Sequence, residues 1–351
     1  MRIMVGVGHP KQVHFRKNLV NNLIEDGHEV KIVTWDKDLT LYLLNAYGFE
    51  YDVIGKNYKG LMKKAYGMLK SDVKLLKIAK RFNPDILVGG SPYLAHVSKL
   101  IGKPHIGFTD TEHANIANFL AFPFSDVTCT PSCYKGKINP KKHVKYNGYG
   151  ELAYLHPNYF KPDPSDLYDL GLNKDDKFII IRFVSWGASH DVGHSGLTLE
   201  IKRKAVKEFE KYGQVFITSE SSLPSEFKKY KIEVPPEKIH DILHYATMYI
   251  GEGAAMATEA GILGTPSIYI SSLVGTMGNF EELENRYGLV YSFQDSNLAL
   301  EKALELLDNN KIKEQWKKKR EKLLSEKIDV TKFMTEFIEN YPQSFEEYKA
   351  G

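Results

Sequence analysis

The strongest chemical signal is a strand followed by small residues and a helix, over residues 249–266. Gly253, Ala254 and Ala255 allow a ligand to approach the backbone closely before the helix begins. A helix N-terminus presents free N–H groups and a positive dipole end, and both favour a phosphate. Glu259 lies one turn into this helix, where a carboxylate can accept hydrogen bonds from ribose hydroxyls. Two alternatives remain, a nucleotide site and a tightly packed turn with a surface glutamate, and because short glycine patterns are weak the glycines alone favour the packed turn.

A polar segment, residues 182–195, follows the first strand of the second half of the chain. Arg182, Ser185 and Ser189 can bind a diphosphate, and the guanidinium of Arg182 can do so with two parallel hydrogen bonds. We therefore expect these three residues to bind the nucleotide.

The same segment contains three side chains of types that bind transition metals: His190, Asp191 and His194. A catalytic metal site needs more than a short loop cluster, so the sequence favours a polar loop without metal. We expect no metal and no cofactor, and we expect His190 to contact a sugar.

The first loop of the chain carries two histidines, His9 and His14. Histidine exchanges protons near neutral pH, so both are candidates for acid–base chemistry or sugar binding. The alternative for each is a histidine that caps or packs against the loop.

Two carboxylates, Asp110 and Glu112, follow the predicted strand at 105–108. A carboxylate at this place can be the general base that activates an acceptor hydroxyl. Either acid can instead be a residue that starts a helix.

All these segments follow strands that alternate with helices, which predicts two doubly wound α/β domains with ligands at the carboxyl ends of the strands. The predicted strands of the first half are Arg2–Val7, Glu29–Thr34, Asp85–Val88, His105–Phe108 and Val127–Thr130, taken as the last of that half. Those of the second half are Phe178–Phe183, Gln214–Thr218, Met248–Ile250 and Ser267–Ile270.

The periodicity lapses and prolines appear over residues 149–164, which predicts a linker. The expected domains are residues 1–156, for the acceptor, and residues 165–328, for the nucleotide. Residues 329–351 are expected to form a helix that returns toward the N-terminal domain.

The composition is that of a globular protein of 351 residues with a formal net charge of +3, which does not favour nucleic-acid binding. No apolar run is long enough to span a membrane, the two cysteines form no disulfide framework, and no signal-peptide pattern begins the chain. We expect a cytoplasmic protein.

A basic helix is predicted near residues 59–81: between Lys56 and Arg81 there are nine basic residues and one acid. Its apolar residues recur at helical spacing: Leu61, Ala65, Leu69, Val73, Leu76 and Ala79. Such a helix packs against a core with a solvated outer side or, as the alternative, lies peripherally on anionic lipid.

Several motifs resemble those of enzymes that use nucleotide-sugars. The run GAAMATE at 253–259, followed by GTP at 264–266, resembles the donor-nucleotide motif of GT-B glycosyltransferases and of UDP-N-acetylglucosamine 2-epimerases. The runs PDILVGG at 84–90 and GKPHI at 102–106 are similar to the Rossmann half of the lipid-linked N-acetylglucosaminyltransferase of peptidoglycan synthesis. The whole chain resembles a prokaryotic domain-of-unknown-function family of about this length within the GT-B superfamily.

The resemblance implies a GT-B fold, with two Rossmann-like domains facing a central cleft. It implies that Glu259 holds the ribose, that Gly253–Met256 bind the phosphates, and that Asn279 lies near the donor sugar. His14 aligns with the histidine of the first loop of the peptidoglycan enzyme, and Asp110 falls where that enzyme has a glutamate.

The epimerases carry an Arg-Pro first loop and a carboxylate after the Pro-Asp strand, whereas this chain has His9-Pro10 and Ser91. The sequence therefore favours an enzyme that transfers a sugar from a nucleotide-sugar, expected to be UDP-linked, to an unknown acceptor. An epimerase-like isomerase and a non-catalytic nucleotide-sugar-binding protein are the alternatives.

Overall fold

The computed structural model describes residues 1–56, 61–184, 197–219 and 222–350. These residues form two compact units. The N-terminal unit contains Met1–Tyr159 together with Ile328–Gly351, and the C-terminal unit contains Phe160–Lys327.

In its described residues, the N-terminal unit is built on a parallel sheet of seven strands in the order β3-β2-β1-β4-β5-β6-β7. The strands are β1 Arg2–Val7, β2 Glu29–Asp36, β3 Tyr51–Lys56, β4 Ile86–Val88, β5 His105–Phe108, β6 Val127–Pro131 and β7 His143–Tyr146. The helices before the chain leaves this unit are α1 Pro10–Glu25, α2 Asp38–Ala46, α3 Leu61–Phe82, α4 Pro92–Ile101, α5 Asn115–Ala121 and α6 Leu152–Leu155.

The C-terminal unit has a parallel sheet of five strands, among its described residues, in the order β12-β11-β10-β8-β9. The strands are β8 Phe178–Phe183, β9 Gln214–Ser219, β10 Met248–Gly251, β11 Ser267–Ile270 and β12 Val290–Phe293. The helices are α7 Leu199–Phe209, α8 Ile239–Tyr245, α9 Ala254–Leu263, α10 Gly278–Asn285, α11 Ser296–Leu307 and α12 Ile312–Glu326. The chain then returns to the N-terminal unit in α13 Val330–Glu339 and α14 Gln343–Ala350.

The central strands of both sheets are buried along nearly their whole length, so both faces of each sheet are covered. In β1, the side chains from Ile3 to Val7 are all buried, and β8 is similarly buried from Phe178 to Ile181. Strands without a polar face are typical of parallel sheets in α/β proteins. The expectation of a doubly wound α/β fold is confirmed.

The strands that the sequence did not predict, β3, β7 and β12, are all edge strands. An edge strand packs on fewer neighbours, and β3 accordingly has one fully buried residue, Ile54. The prediction that Val127–Thr130 is the last strand of the first half is wrong, because β7 follows it. The predicted linker begins too early, since Tyr149 and the residues of α6 are buried in the N-terminal unit.

The apolar side predicted for the basic helix α3 is wrong at Leu69 and Val73, which are 68% and 55% exposed. Ala79, which was predicted, is buried, and so is Leu75, which was not. Contact of this helix with a lipid surface stays a prediction. Within the described residues, no helix is both long and apolar enough to cross a membrane.

Acidification is expected to destabilise the N-terminal unit through His105, which is fully buried in β5. Burial lowers the pKa of its ring from 6.5 to about 3, so the stability that it contributes is complete above pH 6.5 and is lost as the pH falls toward 3. Between pH 7 and pH 5 the loss is about 2 kcal/mol. Denaturant unfolding at both pH values measures it, and His105→Gln should flatten the dependence. An equal pH dependence in the variant would contradict this assignment.

Candidate functional site

The predicted nucleotide segment lies where the strand order of the C-terminal sheet reverses. The chain runs from β8 to β9 on one side and then to β10 on the other side of β8. Arg182 of β8 and Gly251 of β10 are direct partners across these two strands. Open α/β sheets bind ligands at the carboxyl ends of the strands on either side of such a reversal.

The side chain of Arg182 packs against the glycine turn that precedes α9. A Cβ atom at Gly253 would lie 2.9 Å from Cγ of Arg182, so a larger residue would displace the arginine. The Nη1 group of Arg182 donates to the hydroxyl of Thr218 at 2.6 Å, and the hydroxyl of Tyr249 donates to the carbonyl of Gly253 at 3.0 Å. These contacts fix the cation beside the start of the helix.

Helix α9 begins with residues that leave its N-terminus open. Gly253 occupies the capping position and has no side chain to cap the helix, and Ala254, Ala255 and Met256 form the first turn. Beside it, the carboxylate of Glu252 accepts from the N–H groups of Val184 at 2.9 Å and Leu197 at 3.0 Å. Glu252 therefore stabilises the loop before α9. The helix itself begins with small residues, Ala254 and Ala255.

Glu259 is buried on α9, so the alternative of a surface glutamate is wrong. Its Oε1 atom lies 3.3 Å from Nε2 of His240, which is also buried. The residues of α9 from Ala257 to Leu263 are all buried, which is typical of a helix that is apolar on every side. A carboxylate at such a place is rarely retained without a partner.

Asn279 lies in the first turn of α10, after β11. Its Oδ1 atom accepts from the N–H group of Phe280 at 2.9 Å. Ser185, Ser189, His190, Asp191 and His194 lie outside the described residues. In the part of the chain that the structure describes, no group of three His, Cys, Asp or Glu side chains could hold a metal ion.

In the N-terminal unit, a cavity of about 170 Å³ opens at the carboxyl ends of the strands. The strand order reverses at β1 and β4, and the residues that follow these strands contribute to the lining. The polar lining includes Lys11, Arg16, Thr109, Asp110, Thr111 and Asn118.

Asp110 is held at this cavity by Lys11, which also binds Glu151. The Nζ atom of Lys11 lies 2.6 Å from Oδ2 of Asp110 and 2.9 Å from Oε1 of Glu151. Burial alone would raise the pKa of Asp110, but the charge and hydrogen bond of Lys11, with a hydrogen bond from Thr111, hold that pKa below its ordinary value. Conversely, burial would lower the pKa of Lys11, but the two carboxylates raise it. Asp110 is therefore ionised at neutral pH.

Gly150 allows the backbone to pass close to this carboxylate. A Cβ atom at Gly150 would lie 2.9 Å from Oδ2 of Asp110 and 3.7 Å from the ring of Phe15. The residue thus leaves room for the Asp110–Lys11–Glu151 cluster, which brings together residues from three distant parts of the chain.

The histidines of the first loop are in other environments. His9 caps α1, because its Nδ1 atom accepts from the N–H group of Lys11 at 3.2 Å. His14 is buried on α1, with Nδ1 3.1 Å from the hydroxyl of Tyr47 and its ring against Tyr154. The cation that contacts Asp110 is Lys11, and the catalytic role of His14 stays a prediction.

Glu112 lines a second cavity, of about 690 Å³, that shares Asn118 with the first. Its Oε1 atom accepts from the N–H group of Lys135 at 3.3 Å. The two carboxylates predicted as bases therefore line different cavities. Of the two, Asp110 is the one that forms the ion pair with Lys11.

Sequence reasoning missed three residues of the N-terminal site: Lys11, Arg16 and Glu151. Lys11 lies between His9 and His14 in the first loop, so its position could have indicated a role in the site. Arg16 follows that loop in the sequence, and Glu151 falls in the predicted linker. No local pattern marks either of them.

Two parallel sheets, each with a reversal of strand order, are the architecture of a GT-B fold. Solved structures with this fold are similar to the chain over nearly its whole length. S. aureus MnaA in complex with UDP superposes with a TM-score of 0.68 at 14% identity, covering 99% of this chain and 97% of that one. The UDP-GlcNAc 2-epimerase from Neisseria meningitidis bound to UDP-GlcNAc gives a TM-score of 0.66 at 12% identity, with 96% and 99% covered. The spinosyn forosaminyltransferase SpnP gives 0.65 at 14% identity, with 97% and 100% covered.

A comparison of sequences identifies the family of the chain. The model of the family described as "Protein of unknown function (DUF354)" matches residues 1–343, so the chain belongs to that family. No curated protein matches the chain significantly. The expected fold and family are both confirmed, and at these identities the similar structures establish the fold alone.

Proposed function

We propose that this protein is a glycosyltransferase that transfers a sugar from a nucleotide-sugar, UDP-linked, to an acceptor hydroxyl. One observation carries the proposal. At the strand-order reversal of one sheet lie groups suited to binding the donor, and at the reversal of the other sheet lies a group suited to activating the acceptor. The C-terminal unit has Arg182 beside an open helix N-terminus, and the N-terminal unit has the ionised carboxylate of Asp110 at a cavity. Both lie where α/β sheets bind ligands.

The C-terminal unit would bind the donor through its nucleotide. The N–H groups of the first turn of α9 and the guanidinium of Arg182 would bind the diphosphate, and Glu259 would accept hydrogen bonds from the ribose. As the bond between sugar and diphosphate breaks, negative charge grows on the diphosphate. Fixed donors and a cation stabilise that charge more than they stabilise the bound donor, which lowers the barrier.

The N-terminal unit would activate the acceptor through Asp110. A carboxylate held ionised by Lys11 accepts a proton as the acceptor oxygen forms its bond to the sugar, when the hydroxyl becomes far more acidic. Lys11 would keep the carboxylate oriented and would hold Glu151 at the same time. No metal ion takes part in this proposal.

The alternative is an isomerase that resembles UDP-N-acetylglucosamine 2-epimerases. The presence of a second carboxylate, Glu151, on Lys11 favours it, because removing and returning a proton at a sugar carbon needs several acid–base groups. Glu151 is only 1% exposed, however, and Ser91 stands where the epimerases have a carboxylate. A nucleotide-sugar-binding protein without activity would bind the same donor and release no product.

The proposal is tested first by thermal unfolding with UDP-, GDP-, CMP- and dTDP-sugars. A ligand that binds only the native state stabilises it by about 2.7 kcal/mol at a hundred times its dissociation constant. We expect a UDP-sugar to raise the melting temperature most, with or without EDTA. The absence of any shift with all four classes would contradict a nucleotide-sugar site.

A further inference from the structure

Arg16 is an unusual residue of the N-terminal cavity because its guanidinium is buried without its full set of hydrogen bonds. The residue lies on α1 and is 2% exposed. Within the described part of the chain, neither Nε nor Nη1 has a hydrogen-bond partner. Buried polar groups are almost always hydrogen-bonded, so two unsatisfied donors on one buried cation call for a specific explanation.

The protein compensates only part of the charge of Arg16. Its guanidinium lies over the ring of Phe15, 5.5 Å from the ring centre, and Asp110 attracts it electrostatically. The oxygens of Asp110, however, accept from Lys11 and Thr111 instead. Burial lowers the pKa of Arg16 to about 10, so the side chain is still a cation at neutral pH.

The cavity gives this cation a place for a small ligand. Arg16 lines it together with Asn118, Thr109 and Gly90. Its volume, about 170 Å³, is smaller than the roughly 300 Å³ or more of pockets that hold whole ligands. The space suits one small group of a larger molecule. The net charge of the cluster is zero, because two cations face two carboxylates: Lys11, Arg16, Asp110 and Glu151. An anion is therefore attracted by directed hydrogen bonds rather than by net charge.

We propose that this cavity binds an anionic group of the acceptor, a phosphate or a carboxylate, through the guanidinium of Arg16. A guanidinium matches the oxygens of both groups with two parallel hydrogen bonds. The acceptor is then a hydroxyl compound that carries such a group within reach of Asp110. The assignment of the anion to the acceptor rests on the proposed transferase function; the anion site itself does not.

The test measures binding of glycerol 3-phosphate, glycerate and glycerol by calorimetry, at constant ionic strength and without nucleotide. These probes share hydroxyl groups and differ in the anionic group, so they separate a phosphate site from a carboxylate site. The variants are Arg16→Met, which removes the cation, and Arg16→Lys, which keeps the charge but loses the paired donors. Lys17→Gln is the matched control, because Lys17 is the next residue of α1 and lies over the ring of Tyr47 instead.

We expect glycerol 3-phosphate or glycerate to bind the unaltered protein and Lys17→Gln, and glycerol not to bind. Affinity should fall on the order of 30-fold or more in Arg16→Met and Arg16→Lys. Without ligand, Arg16→Met should melt no lower than the unaltered protein, because it removes a buried cation that is incompletely paired. Absence of binding by both anions, or equal binding by the Arg16 variants, would overturn the proposal. Stabilisation by UDP, which depends on the C-terminal unit, reports separately on the proposed function.

Discussion

Replacing Asp110 by asparagine is expected to lower the rate of sugar transfer by about 10²–10⁴-fold, the usual contribution of a general base. Asparagine keeps the shape of the side chain but cannot take up the proton of the acceptor. The measured quantity is UDP released from the UDP-sugar per unit time, with water or an added hydroxyl compound as acceptor. The affinity for UDP should not change, because Asp110 belongs to the N-terminal unit.

The matched control is Glu112→Gln, which removes a neighbouring carboxylate that lines the other cavity. We expect this variant to retain most of the rate. A large loss in Glu112→Gln together with normal turnover in Asp110→Asn would move the catalytic role to Glu112. If both variants lost only a little activity, neither Asp110 nor Glu112 would be the general base.

Replacing Glu259 by alanine is expected to reduce strongly the rise in melting temperature that a given concentration of UDP produces. The loss of hydrogen bonds between a charged carboxylate and the ribose corresponds to about 1.5–3 kcal/mol, and hence to a roughly 10- to 150-fold weaker affinity. Calorimetry with UDP measures the change directly. Glu259→Gln, which preserves the volume beside His240, should show a smaller but clear loss.

Two controls separate binding from folding in this experiment. Circular dichroism of the Glu259 variants should match that of the unaltered protein, and Glu281→Ala, which removes an exposed carboxylate from α10, should bind UDP normally. Equal stabilisation of Glu259→Ala and the unaltered protein by UDP would exclude Glu259 from ribose binding.

Among the described strands, the central ones could be predicted from the sequence, and of the four edge strands only β9 could. Strands β1, β5, β8 and β11 are short apolar runs, since both of their faces are covered, and their predicted bounds agree with the structure. Strand β7 alternates between buried and solvated residues over four positions, HVKY, so it carries little pattern of its own. Its pairing with β6 depends on the rest of the sheet.

The site could be predicted only where its residues are close together in the sequence. The turn from β10 to α9 lies in one segment, so its small residues and Glu259 are visible together. The ion pairs of Lys11 join positions 11, 110 and 151, and folding alone brings them together. The same holds for Arg16, whose incomplete hydrogen bonding is a property of its surroundings and leaves no mark in the sequence.

The hydrogen on C2 of the donor sugar gives the most direct test of transfer against epimerisation. An epimerase must remove and return a proton at that carbon, whereas a transferase breaks the bond at C1 and leaves C2 untouched. The protein is incubated in heavy water with a UDP-sugar that raises its melting temperature, and NMR follows the recovered sugar and the released UDP. We predict release of UDP without deuterium at C2, and deuterium appearing at C2 would contradict the transferase assignment.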